Sequence, residues 1–309
     1  MSEHRPDLSL AKAQALMRAG SLDSAIADLR ALLAVEPEYA RAHALLAACL
    51  YDKGDAKAAL EEAEAALQLD EADILGHHIA GLSHLRLKNI PAAEAAIRRA
   101  IEIDPENAES HRLLGALYDS HAKLKEARAA FEEALRLDPQ DGDIIASYAD
   151  FLIDKGEIDA AEALFASAGD VALDETRALI VRGKIALRKG DSETAREMAL
   201  WALQRDAQNP GAISLLVQAK VKKNPVMALW LGWAHWMGRF DGKTRIFILI
   251  GLWAAFNIAN RTILRVAPGG VQLAASLLWI GFCLLTWIAP AIVGRMVAKE
   301  LESVRIREF

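Results

Sequence analysis

The chain is 309 residues long, 53% hydrophobic and 25% charged, with a formal net charge of −6. The charge is divided: residues 1–210 hold 24 Lys+Arg against 38 Asp+Glu, while residues 211–309 hold 12 against 4. The acidic part lacks the clustered basic face that nucleic acid requires, so no nucleic-acid partner is expected, and two cysteines, Cys49 and Cys283, are too few for a disulfide framework or a zinc site.

The first twenty residues, MSEHRPDLSLAKAQALMRAG, are interrupted by Glu3, Asp7 and Lys12 and hold no signal-peptide core. From there the chain repeats with a period of 34 residues. Ala25, Ala59, Ala93, Ala127, Ala161 and Ala195 form one column; Ala13, Ala47, Gly81, Gly115, Ala149 and Gly183 form a second; Leu32, Ala66, Ala100, Ala134, Ala168 and Ala202 form a third. Small residues at fixed steps mark places where helices cross closely. Gly20, Gly54, Gly156 and Gly190 stop one helix of the pair in four of the six units, and Pro37, Pro105 and Pro139 open the next. The pattern predicts an all-α chain of helix pairs, each helix about 12–15 residues long, with units starting near 6, 40, 74, 108, 142 and 176.

The unit HRLLGALYDSHAKLKEARAAFEEALRLDP at 111–139 shows Leu114-Gly115, Tyr118, the series Ala127, Phe131 and Ala134, and the closing Pro139. It resembles the tetratricopeptide repeat. The resemblance covers 6–209 and implies a right-handed α-solenoid of about six helix pairs. Units two, five and six depart from it, with Glu71, Leu173 and Ala207 where the proline belongs, and SAGDVALDET is an irregular joint. In this family the first helices line a groove for a peptide or partner helix. The resemblance places Gln14, Arg41, His78, Leu82, Arg112, Asp119, Asp150 and Lys184 there. Some members clamp a C-terminal carboxylate with Lys and Asn, but here no Asn falls on a first helix; Asn89 and Asn107 fall at joints.

Asn209-Pro210 opens a further helix, within 210–223, that caps the array. Next comes MALWLGWAHWMGRF, which puts Trp230, Trp233 and Trp236 on one helical arc. Beside basic residues, it reads as an interfacial helix over 226–241. Two apolar runs follow, separated by Pro268-Gly269-Gly270. They are expected to form a transmembrane hairpin, at about 246–266 and 271–294, within 245–309 and with a short basic tail. Ten Lys or Arg flank the runs and two, Arg261 and Arg265, lie between them. That bias expects an integral protein of a bacterial cytoplasmic membrane, with the array and both termini cytosolic.

His43, His77 and His111 also recur at the period, but helix stacking would hold them roughly 10 Å apart, too far for shared zinc. No phosphate loop, paired-His metalloprotease motif or nucleophile elbow is present. The sequence therefore reads as a non-enzyme without metal, cofactor or small-molecule substrate. It is expected to be a membrane-anchored interaction scaffold that contacts a protein or peptide and the lipid bilayer. The alternative is an assembly factor or accessory subunit whose hairpin pairs with partner helices.

Overall fold

The computed structural model describes residues 6–168 and 175–222, the helix 242–262, and Met237, Phe240, Ser276, Leu277, Trp279 and Ile280. The expected interfacial helix with Trp230, Trp233 and Trp236, the 268–270 turn, most of the second apolar run and the basic tail lie outside the described residues. All regular structure among the described residues is helical. The chain divides into two compact bodies, Met1–Leu173 and Asp174–Phe309.

The first body holds five helix pairs. Their first helices are α1 (Pro6–Arg18), α3 (Ala40–Asp52), α5 (Ile74–Arg86), α7 (Ala108–Ser120) and α9 (Gly142–Asp154). Their second helices are α2 (Leu22–Val35), α4 (Ala56–Leu69), α6 (Ile90–Ile103), α8 (Leu124–Leu137) and α10 (Ile158–Ala168). Short polar residues start many of them: Asp55, Asp73, Asn89, Asn107 and Asp141 each accept a backbone N–H two or three residues on. Asn89 and Asn107 thus have a local structural task.

The small columns are where the helices meet. Ala25, Ala59, Ala93, Ala127 and Ala161 are fully buried. At Gly115 a Cβ would lie 2.9 Å from the Phe131 ring, and at Gly81 it would lie 2.7 Å from Ile97 Cγ1. The two helices of each pair are therefore in backbone-close contact. Successive first helices also touch one another, as α3 does α5 and α7 does α9, so they form one inner row with the second helices behind.

Histidines and tyrosines tie the units. His43, His77 and His111 each donate from Nε2 to a carbonyl six residues back, of Pro37, Glu71 and Pro105, at 2.9, 2.9 and 3.0 Å. The 34-residue histidine ladder is therefore a set of joint clasps. Tyr118 Oη donates to Glu94 (2.8 Å) and accepts from Arg98 (2.5 Å). Tyr148 Oη donates to Glu132 (3.1 Å) and accepts from Arg128 (3.5 Å). In the first case the acid precedes the base by four residues along the helix; in the second the order is reversed.

In the second body α11 (Glu175–Lys189) pairs with α12 (Ser192–Arg205), and α13 (Pro210–Lys222) packs on both. Leu215 of α13 is fully buried, and a Cβ on Gly183 would meet its Cδ2. Lys222 Nζ donates to Leu187 O at 2.5 Å, tying the end of α13 to α11. Helix α14 (Gly242–Thr262) covers most of the first apolar run. No helix among the described residues is long and apolar enough to cross a membrane. The span expected at 246–266 is not supported for a physical reason. Lys243 and Arg245 lie in the first turn of α14 and Arg261 lies at its end. The uncharged stretch between them spans only roughly 22 Å of a hydrocarbon layer about 30 Å thick.

The break between paired helices needs a left-handed residue. Gly20, Gly54, Gly156 and Gly190 supply it with φ from 71° to 98°, but Lys88 (63°) and Ala122 (56°) occupy the same place in the third and fourth units. A side chain there costs about 1–2 kcal/mol, while glycine gives back part of that through its freer unfolded chain. Ala122→Gly is expected to stabilise the first body by about 0.5–1 kcal/mol. Urea unfolding of the full chain checks it: the midpoint should rise at unchanged slope, and a fall would contradict this account of the turn.

Candidate interaction surface

The inner row is built from residues spaced i, i+3, i+7 and i+10 on each first helix, which fall on one arc away from the second helices. Leu10, Gln14 and Met17 on α1, Tyr51 on α3, and Leu75, Leu82 and Leu85 on α5 are all partly buried. Ala44 and Ala48 of α3 lie on the same arc and are buried. Along α7 and α9 the arc turns polar, with Glu109, Arg112, Asp119 and Asp150 partly exposed and Asp143 exposed. Lys184 sits on α11, in the second body.

The cations of this row are occupied. Arg112 donates to both oxygens of Glu109, at 2.6 and 2.5 Å, and to Ser147 Oγ at 3.2 Å. Arg41 reaches Asp73 Oδ1 at 3.4 Å. Lys155, which sequence reasoning missed, lies 2.6 Å from Asp119. Arg86, also missed, donates to Tyr51 O and stands 4.0 Å over the Tyr51 ring. Asp73 carries a buried oxygen, Oδ2, with no hydrogen-bond partner. Its identity as a helix cap was the only signal in the sequence.

His78 is 7% exposed and does not present a ring to the row. Its Nε2 lies 2.7 Å from Ser110 Oγ. That hydroxyl donates to Asn107 Oδ1 at 3.0 Å, so it accepts from His78. Among the described residues no group of His, Cys, Asp or Glu is placed to hold a metal ion.

Burial holds the His78 pKa down at about 4; Glu109 opposes the shift, and Arg112 and His77 add to it. A folded-state pKa below the ordinary 6.5 means that the unfolded chain binds the proton more readily. His78's contribution is therefore whole above about pH 6.5 and is lost as the pH falls toward 4, by roughly 3 kcal/mol. His78→Gln keeps a donor toward Ser110 and removes the titration. Urea midpoints of the two proteins should diverge between pH 7.5 and 4.5, with the variant losing less; parallel curves would contradict a neutral buried His78.

Family models of the tetratricopeptide repeat match residues 10–74, 80–142 and 120–185. No curated protein matches the chain in sequence. Among solved structures, a tetratricopeptide repeat protein from Parabacteroides merdae is 17% identical with a TM-score of 0.60, over 71% of this chain and 86% of that one. PilF of Pseudomonas aeruginosa is 22% identical with a TM-score of 0.50, over 67% and 94%. PilW, described as a widely conserved type IV pilus biogenesis factor, is 18% identical with a TM-score of 0.54, over 68% and 98%. At these identities the likeness is one of fold. With repeat models matching most of residues 10–185, and with helix pairs crossing at buried small residues, the chain belongs to the tetratricopeptide-repeat family.

Proposed function

We propose that the chain is a membrane-anchored, non-catalytic interaction scaffold. The inner row of first helices takes a protein or peptide, and the apolar C-terminal segment holds the chain at a bilayer. The observation that carries the first half is the inner row itself, an accessible surface of partly buried apolar side chains on rigid helices. Proteins of this family are interaction scaffolds.

The second half is supported by α14. Phe247, Ile250, Trp253 and Ile258 are each more than half exposed, as are Leu277 and Ile280. Monomers in water rarely leave such a patch uncovered. Phe256 stacks on Trp279 at 4.6 Å, which supports a pairing of the two apolar runs. Asn257 donates to Trp253 O at 2.9 Å, so its amide has a partner inside the helix. The basic flanks favour a bacterial cytoplasmic membrane with the array on the cytosolic side. The same exposed face favours the second reading, in which partner helices rather than lipid cover it and the chain is an assembly factor or accessory subunit.

Carbonate extraction of membranes holding the full chain tests the anchor. The protein is expected to stay in the pellet, and Phe247, Ile250 and Trp253 changed together to Ser should shift it toward the supernatant. Release of the unchanged chain would overturn the anchor. Replacing 246–294 with an unrelated hairpin should leave function intact for a scaffold and abolish it for a subunit.

A further inference from the structure

The inner row changes character along the first body. In α3 and α5 it carries the apolar side chains Tyr51, Leu75, Leu82 and Leu85, with the already partnered Arg41 and Arg86 at its ends. In α7 and α9 it carries the carboxylates Asp119 and Asp150. We propose that the row takes an internal partner segment with apolar side chains beside Lys or Arg, and that it does not grip a free C-terminal carboxylate. The proposal rests on the inner row being the partner surface.

Two observations carry it. The first is that Arg41, Arg112 and Lys155 are each already paired with a carboxylate, and Arg86 is held by the Tyr51 carbonyl and ring. A terminal carboxylate approaching Arg112 would have to displace Glu109 from a two-pronged, charge-assisted pair. One approaching Arg41 or Lys155 would meet Asp73 or Asp119. Such a ligand gains no unpaired cation and enters a field of like sign. The second is the surplus of negative charge. Residues 1–173 hold 17 Lys+Arg against 32 Asp+Glu, a net of −15. An incoming ammonium or guanidinium is attracted at long range and meets the partly exposed carboxylates Asp119 and Asp150 along α7 and α9. The apolar side chains supply the contact area that charge alone does not.

The test uses the full chain and three labelled peptides of about 15 residues, long enough for a marginal helix. One is made of Leu, Ala and Lys with an amidated end; one has Glu for every Lys; one is the Lys peptide with a free carboxylate. Fluorescence anisotropy should give at least about tenfold tighter binding for the Lys peptide than for the Glu peptide, a gap that narrows with salt. The amidated and free-acid forms should agree within about twofold. Leu82→Gln and Asp150→Asn should each weaken binding about fivefold or more, with the melting temperature held; Glu61→Gln on the second helix α4 should leave it unchanged. If the Glu peptide binds as tightly, if the free acid binds far better, or if none binds, the proposed chemistry is overturned and the surface itself is left standing. If the Lys peptide binds but ignores Leu82→Gln and Asp150→Asn, the inner row is not the binding surface and both readings fail together.

Discussion

Close helix crossing at small residues is the constraint from which the rest follows. Five alanines at one step of the period have no exposed surface in the first body. Gly81 and Gly115 sit where a methyl group would press into Ile97 or the Phe131 ring. Overpacking at such a place costs about 1–3 kcal/mol, more than a helix gains by exchanging glycine for a better former. Because each pair is held this tightly, the second helices lie behind and the first helices are left facing one another in a row. The surface proposed to take a partner is thus a by-product of the packing.

The charged groups that join one unit to the next show the same economy. Glu94, Arg98 and Tyr118 form one linked set, and Arg128, Glu132 and Tyr148 another with acid and base exchanged. Either order satisfies the phenol, which needs one acceptor and one donor. Of the inner-row cations, Arg41, Arg112 and Lys155 are likewise spent on neighbouring carboxylates, and Arg86 on the Tyr51 carbonyl and ring.

The repeat was legible because it rests on residue size at a fixed step, which a single sequence displays directly. The helix stops at Lys88 and Ala122 were not, since a left-handed turn without glycine leaves no mark in composition. His78 was read as surface because its helical phase points to the inner row; Ser110, 32 residues away, covers it. Arg112 was read as a free contact because the i, i+3 partner Glu109 is only one of several geometries open to a long side chain. The uncharged run pointed to a span at 246–266 only by continuing past Arg261, whereas the helix that forms, 242–262, begins earlier and takes in Lys243 and Arg245. Local pattern carried the fold, and pairing across units decided the site.

Native-state hydrogen exchange, read helix by helix in the full chain and in Gly115→Leu, tests the central role of the crossings most directly. If small residues fix each pair and the pairs contact only their neighbours, the substitution should lower protection in α7 and α8, less in α5, α6 and α9, and little in α1 and α2. Unchanged protection in α7 and α8, or an equal loss from α1 to α10, would contradict it.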